Sequence, residues 1–192
     1  MQQSKHDHGA YGGRERLLST ARTLFRRHGA SNVGINDVTQ SAGVARMTLY
    51  NNFASKEALI EAVYKEFAEE TLVALRGMET TGKSEQERIF ALIDRFDNDA
   101  RDSDYRGCPL THASLQASEP EGPIYALVQA YKRALRGHIL GLLEDGRADR
   151  SELADLILIL LDGVVTEAYL KGVEHPASSA KRAIAALLQG KR

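Results

Sequence analysis

The sequence predicts an all-α protein of about nine helices. Apolar residues recur three and four positions apart along most of the 192 residues, which is the spacing of one helix face. Most of these stretches are bounded by residues that start or stop helices, such as Ser, Asp, Pro and Gly. No segment alternates apolar and polar residues over a convincing length, so no strand is expected.

Four helices are predicted in the first part of the chain, after an arm without periodicity that is expected to be flexible. Helix 1 stops at Gly29, which suits a C-cap. The Asp37 carboxylate is expected to return to the Gly34 amide at the start of helix 2, and Ser55 is expected to cap helix 4. The arm and the four helices are predicted at residues 1–13, 14–28, 35–41, 46–52 and 56–78.

The remaining chain contains five more predicted helices. Ser84 and Glu87 form a capping box before helix 5, and a proline stands in the first turn of helices 6 and 7. Asp149 and Glu152 are expected to cap helix 8, and a proline precedes helix 9. These helices are predicted at residues 85–100, 109–117, 123–145, 150–172 and 177–189.

The composition is that of an ordinary globular chain, with 43% hydrophobic and 27% charged residues. The longest apolar run, Leu156 to Leu161, is far too short to cross a bilayer, and residues 1–13 lack the apolar core of a signal peptide. The single cysteine, Cys108, cannot form an intrachain disulfide, which fits a reducing compartment. We therefore expect a cytoplasmic protein that does not bind membranes.

Charge is divided unevenly along the chain. Residues 1–56 contain eight Lys/Arg and three Asp/Glu, a net charge of +5, whereas the rest contains 17 and 23, a net charge of −6. This division favours an N-terminal module that binds a polyanion, attached to an acidic body. A solvated basic helix face alone would give a similar pattern.

Residues 35–53 carry the functional signal, because they read as two short helices joined by a tight turn. Gly43 stands where the chain must turn sharply, a position that favours positive φ. A helix of this length fits the major groove of DNA, where arginine suits guanine, asparagine suits adenine and hydroxyls suit phosphates. Lys56, at the positive end of helix 4, suits another phosphate. The outward face of helix 3 is predicted to carry Arg46, Thr48, Tyr50 and Asn51.

The same region resembles the TetR family of repressors. The resemblance covers about residues 14–64 and rests on the runs LFRRHG at 24–29 and AGVARMTLYNNFASKEAL at 42–59. It implies a dimer that binds double-stranded operator DNA and is released by a small molecule. By the same resemblance, Thr48, Tyr50 and Lys56 match positions that contact phosphates, while Arg46 and Asn51 lie among those that face the groove.

Three positions depart from the family pattern. Asn52 stands where a histidine is usual, and its amide is still able to donate to a phosphate, so it is predicted as a further phosphate contact. Ala45 and Gly34 replace Ser/Thr caps of helices 3 and 2. Losing such a hydroxyl costs about 1 kcal/mol for alanine and only a few tenths for glycine.

Seven residues of the acidic body are candidate ligand contacts, because ligand pockets combine an apolar wall with a few polar groups. The alternative for each is core packing or a polar group satisfied by its neighbours. Cys108 and His112 are too few for a metal site, so no metal or cofactor is expected, and a redox role for Cys108 is left open. The candidate ligand contacts are Phe96, His112, Gln116, Tyr125, Tyr131, Asp162 and Tyr169.

Helices 8 and 9 are expected to form a homodimer interface. The run 156–161 is apolar around the whole helix, and helix 9 carries a matching stripe, so two copies of the pair would form a four-helix interface. Burial of both helices within a monomer is the alternative. The predicted interface residues are Leu156, Leu160, Ile184, Leu187 and Leu188.

The sequence thus predicts a ligand-responsive transcriptional repressor rather than an enzyme. Residues 14–55 form the DNA-binding domain, residues 56–78 the linking helix, and residues 79–192 the ligand-binding and dimerisation domain. A helical enzyme is disfavoured because no acid, base and nucleophile stand at catalytic spacing. A helical protein-interaction module is disfavoured by the basic N-terminal segment.

Overall fold

The computed structural model describes residues 12–101, 105–117 and 122–190, which form nine α-helices and contain no strand. The predicted all-α class is confirmed. Most of the predicted flexible arm lies outside the described residues. The helices are α1 Gly13–His28, α2 Ile35–Ser41, α3 Arg46–Asn52, α4 Lys56–Arg76, α5 Glu85–Asp99, α6 Pro109–Gln116, α7 Pro123–Leu142, α8 Arg150–Leu170 and α9 Pro176–Gln189.

Two compact units divide the chain between Glu66 and Phe67, inside α4. The first unit packs α1 against α2 and α3, and the first part of α4 completes its core. Phe25 and Tyr64 stack their rings with centroids 6.4 Å apart. Its fully buried side chains come from four different helices and include Leu17, Val38, Leu49 and Leu59.

The predicted caps form as expected at three helix starts. The Gly34 amide donates to the Asp37 carboxylate at 2.7 Å, and the Ala58 amide donates to the Ser55 hydroxyl at 3.2 Å. At the start of α5, the capping box joins the Ser84 amide to the Glu87 carboxylate at 2.8 Å. These bonds satisfy amides that have no partner inside their own helix.

In the second unit, α8 packs against α5, α7 and α9, while α6 lies on α7. Its core is built from branched aliphatic side chains that all four long helices contribute. Among the described residues, no helix combines the length and apolar character that a bilayer crossing requires. The fully buried core residues include Ile89, Leu92, Leu135, Ile139, Ile157, Leu161 and Ile184.

A buried ion cluster joins three segments of the second unit. The Arg147 guanidinium donates to the Glu85 carboxylate at 3.2 Å, to the Asp149 carboxylate at 3.0 Å and to the Leu188 carbonyl at 3.2 Å. The predicted cap of α8 by Asp149 is therefore wrong, because its carboxylate binds Arg147 and makes no capping hydrogen bond. α7 also ends at Leu142, earlier than predicted, since the Glu144 amide donates to Glu85 at 2.8 Å.

The half-buried imidazole of His138 predicts a loss of stability in acid. Its Nε2 is buried without a hydrogen-bond partner in the described part of the chain. Burial lowers the pKa of His138 below its usual 6.5, and the charge of Arg76 lowers it further. The unfolded chain therefore binds the proton more readily, so stability should be constant at neutral pH and fall as the pH drops below about 6.5.

Urea unfolding at several pH values from about 7.5 to 5 measures this effect. His138→Gln removes the titrating group, so the free energy of unfolding of this variant should fall less steeply in acid than that of the wild type. Parallel pH profiles for the two proteins would contradict the assignment.

Candidate nucleic-acid interface

α3 is held by its buried side and presents the rest of its surface outward. Leu49 is fully buried among the core residues of the first unit. Gly43 ends the turn after α2 with φ +62°, in the left-handed region predicted for it. A side chain at this position would contact no other atoms, but the backbone would be strained, because residues other than glycine rarely adopt this φ. The turn therefore sets the direction in which α3 leaves α2.

One flank of α3 carries an arginine–tyrosine pair. The Arg46 guanidinium lies 5.6 Å from the centroid of the Tyr50 ring, and its Nη2 donates to the Tyr50 hydroxyl at 3.3 Å. Both side chains are exposed. The cation–π contact restrains a long side chain and thereby lowers the entropy that Arg46 would lose on binding.

On the opposite flank of α3, Asn52 and Thr48 already make contacts within the protein. The Asn52 amide donates to the Thr48 carbonyl at 2.7 Å, within α3 itself. Thr48 is half-buried, and a Cβ built on Gly13 would lie 2.9 Å from its methyl group. Gly13 thus allows the start of α1 to approach α3 closely. Asn51, by contrast, is exposed.

Lys56 begins α4 beside this surface of the first unit. Its Nζ donates to the Ser31 carbonyl at 3.3 Å, which leaves two further N–H donors on the ammonium. Glu57 follows Lys56 at the start of α4. Hydrogen bonds from its own amide and from the Ser55 hydroxyl lower the pKa of the Glu57 carboxyl. Glu57 therefore stays ionised beside Lys56.

Two apolar residues in and just after α3, Phe53 and Met47, differ in their exposure. Phe53 is buried, as core aromatics are, and the Arg14 guanidinium lies 5.3 Å from its ring centroid. Met47 is 69% exposed on α3 and was not among the predicted contacts. Helical spacing could have identified Met47 as outward-facing. Residues two positions apart lie about 200° apart around a helix axis, so Met47 points away from the side that Leu49 buries.

The candidate ligand contacts of the second unit fall into two clusters and some exposed positions. His112 and Tyr169 form an edge-to-face ring pair with centroids 6.0 Å apart. Burial raises the pKa of the Tyr131 hydroxyl, and nearby Cys108 and Asp162 raise it further, so this phenol stays protonated. Phe96 is half-buried, whereas Gln116 and Tyr125 lie exposed on their helices.

The Asp162 carboxylate is already neutralised, because it forms an ion pair with Lys132, which the sequence did not point to. Tyr105 lies outside the predicted set, and its hydroxyl donates to the Val165 carbonyl at 3.2 Å. Burial and Cys108 raise the pKa of Tyr105. The described residues contain no group of three or more side chains able to hold a metal ion.

A separate open cleft of about 670 Å³ lies between the ends of α5 and α8 and the loop that follows α8. None of the seven predicted ligand contacts lines it. Its walls carry both signs of charge, including Asp97, Arg101, Glu167, Lys171 and His175.

The predicted dimer residues do not all lie at the surface. Ile184 and Leu188 are buried within a single chain, so their place in the interface is corrected: they belong to the core of the second unit. Leu156, Leu160 and Leu187 are half-buried. Ile159, which was not predicted, is 66% exposed in the middle of α8.

Comparisons with known proteins agree on one family. Residues 17–63 match the family model described as bacterial regulatory proteins, tetR family. An uncharacterised HTH-type transcriptional regulator of Mycobacterium tuberculosis is 33% identical over 113 residues, which are 57% of this chain. The chain spans 56% of the length of that relative.

Other matches extend further along the chain. The HTH-type transcriptional repressor KstR2 of Rhodococcus jostii is 23% identical over 77% of this chain and 72% of its own length. The crystal structure of a TetR-type transcriptional regulator from Streptomyces avermitilis superposes with a TM-score of 0.78 at 24% identity, covering 91% of this chain and 99% of that chain. A TetR-family regulator from Streptomyces coelicolor gives a TM-score of 0.77 at 24% identity, over 92% and 94% of the two chains. These likenesses support the fold.

Proposed function

We propose, from the premise that this chain belongs to the TetR family of bacterial regulatory proteins, that it is a dimeric transcriptional repressor that binds operator DNA. The exposed face of α3 is the observation that carries the proposal. Leu49 fixes the helix from its buried side, and Arg46, Tyr50 and Asn51 are left exposed with donors and a ring. Such a face fits the hydrogen-bonding edges of base pairs in a major groove.

The contacts divide into reading and positioning roles. Arg46 reads a guanine edge and Asn51 an adenine edge, whereas Lys56, Thr48 and Tyr50 contact phosphates. Asn52 is the weakest of the predicted phosphate contacts, because its amide already donates to the Thr48 carbonyl. Lys56 keeps its bond to Ser31 while its remaining N–H groups meet the phosphate.

Dimerisation places two copies of α3 in successive major grooves, which are about 34–36 Å apart in B-DNA. Support comes from exposed Ile159 and from Gly163, around which nothing lies within 4 Å of an added Cβ. Half-buried Leu156 and Leu187 border this apolar surface of α8 and α9. Two copies of that surface would cover each other around a two-fold axis.

A small molecule releases the DNA by binding better to the state in which the two α3 helices are wrongly spaced. The candidate contacts for it are the protonated phenol of Tyr131, the Lys132–Asp162 pair and the ring pair of His112 and Tyr169. These groups combine donors with aromatic surface, as ligand sites do.

Substitutions of Lys56 and Arg46 test the division of roles. The probe is an operator selected from a random duplex library by the full-length protein. Lys56→Ala should weaken binding to every sequence alike and reduce the slope of log affinity against log salt by about two per dimer. Arg46→Ala should cost about 1–3 kcal/mol per half-site and relax the preference at one base pair. Fluorescence anisotropy at several salt concentrations measures both.

Lys65 provides the matched control, because it is exposed on α4 about half a turn in angle from Lys56. Lys65→Ala should leave affinity and salt slope unchanged. If Lys56→Ala and Lys65→Ala behave alike, Lys56 does not contact a phosphate. If Arg46→Ala weakens all sequences equally, Arg46 contacts the backbone and not a base.

A further inference from the structure

The centre of the exposed face of α3 carries an apolar side chain. Successive residues of an α-helix are about 100° apart, so Met47 and Asn51 each lie about 160° around the axis from buried Leu49. Arg46 and Tyr50 lie on one flank of this centre, and Thr48 lies on the other. Met47 is therefore the apolar residue of α3 that points most directly away from the core.

The side chain of Met47 is also free to move into a partner. It is 69% exposed, and the neighbouring arginine does not cover it, because Arg46 stacks on Tyr50 along the flank. A thioether side chain is flexible and adapts its shape to an irregular apolar surface. Met47 is thus an uncovered apolar group in the middle of a face that otherwise offers polar groups.

The chemistry of Met47 restricts what it can contact on DNA. A thioether has no N–H or O–H to donate, so it cannot form the hydrogen bonds that phosphate oxygens accept. The major-groove edges of base pairs offer one apolar group, the C5-methyl of thymine. Cytosine has only hydrogen at that carbon, and its N4 amine needs an acceptor. A methionine at the centre of the face therefore distinguishes thymine from cytosine.

We propose that Met47 is a specificity-determining residue that packs on the C5-methyl group of one thymine in each operator half-site. The inference rests on the proposed function, because it requires α3 to enter a major groove. Asn51 projects from the same strip of α3, one helical turn away, and reads an adenine close to that thymine. In each half-site, Met47 therefore reads one A·T pair through the methyl group of its thymine.

Replacing thymine by uracil in the selected operator tests the contact, since this change removes the methyl group and leaves base pairing unchanged. Replacing the contacted thymine in only one half-site should weaken binding of the wild-type protein about fourfold, the factor associated with burying one such group. For a dimer on a symmetric operator with both thymines replaced, the loss should be about 15-fold. Met47→Ala should bind the thymine and uracil duplexes equally.

Two further variants separate the methyl contact from general damage. Met47→Leu keeps an apolar side chain and should preserve a preference for thymine over uracil. Leu115→Ala removes an exposed apolar side chain, 78% accessible, from the second unit and should leave the full uracil effect in place. Circular dichroism checks that each variant is folded.

The outcomes separate this inference from the proposed function. Selection of a sequence that shows no uracil effect at any thymine, or an effect that persists in Met47→Ala, would overturn the role of Met47 while leaving DNA binding intact. Failure of the wild-type protein to select any sequence would overturn the proposed function itself, and this inference with it.

Discussion

Arg147→Ala is expected to lower the free energy of unfolding by about 3–5 kcal/mol, the usual cost of removing one partner of a buried ion pair. The Arg147 side chain is only 4% exposed, and it donates to two carboxylates and to the Leu188 carbonyl. Its removal leaves the buried Glu85 carboxylate without a counter-charge. Because the cluster links the start of α5, the segment before α8 and the end of α9, the whole second unit should lose stability.

Equilibrium unfolding in urea measures the change, and Arg136→Ala is the matched control. Arg136 also binds an aspartate, Asp155, but the two side chains are 31% and 54% exposed. Exposed ion pairs contribute less than about 1 kcal/mol, so this variant should remain close to the wild type. If the two variants lose equal free energy of unfolding, burial of the Arg147 cluster does not determine how much it stabilises the protein.

Ile159→Glu is expected to convert the dimer into monomers and to weaken binding to the two-site operator by about 10²- to 10⁴-fold, the range of avidity that linked sites provide. In the proposed dimer, a carboxylate at this position would be buried without a partner between the two copies of α8. Ile159 is exposed in the single chain, so the folded protomer should survive. Analytical ultracentrifugation and operator titration measure the two effects.

Val73→Glu is the control, because Val73 is a β-branched residue with a similar exposure, 60%, on α4. It should remain a dimer with unchanged operator affinity. A dimeric Ile159→Glu protein with normal affinity would place the interface elsewhere. Substitution of Leu188 would not make this distinction, since its side chain is buried within one chain and a charge there would unfold the protomer.

Local signals predicted much of the fold. The bounds of α2 and α3 agree with the prediction because the Asp37 carboxylate on the Gly34 amide and the turn at Gly43 involve residues close in sequence. The errors arise where distant residues intervene. Arg147 takes the carboxylate expected to cap α8, and Glu85 takes an amide beyond the end of α7. Spacing along one helix carries no information on such partners.

The candidate sites were predictable to a different extent. The residues proposed to face DNA follow from one short motif, but Met47 was not among them although it is 69% exposed on α3. An apolar stripe identifies a covered face but not what covers it, which is why Ile184 was assigned to the dimer and lies in the core instead. Lys132 could not be identified as the partner of Asp162, because the two stand on different helices.

The most direct test of the central claim is a titration of the full-length wild-type protein with its selected operator at several salt concentrations. We predict that two protomers bind each duplex and that log affinity falls linearly with log salt, by about 0.9 for each phosphate neutralised. Binding to an unrelated duplex should be weaker by several orders of magnitude, on the order of 10³ or more. Equal affinity for both duplexes, or an affinity that does not change with salt, would contradict the account.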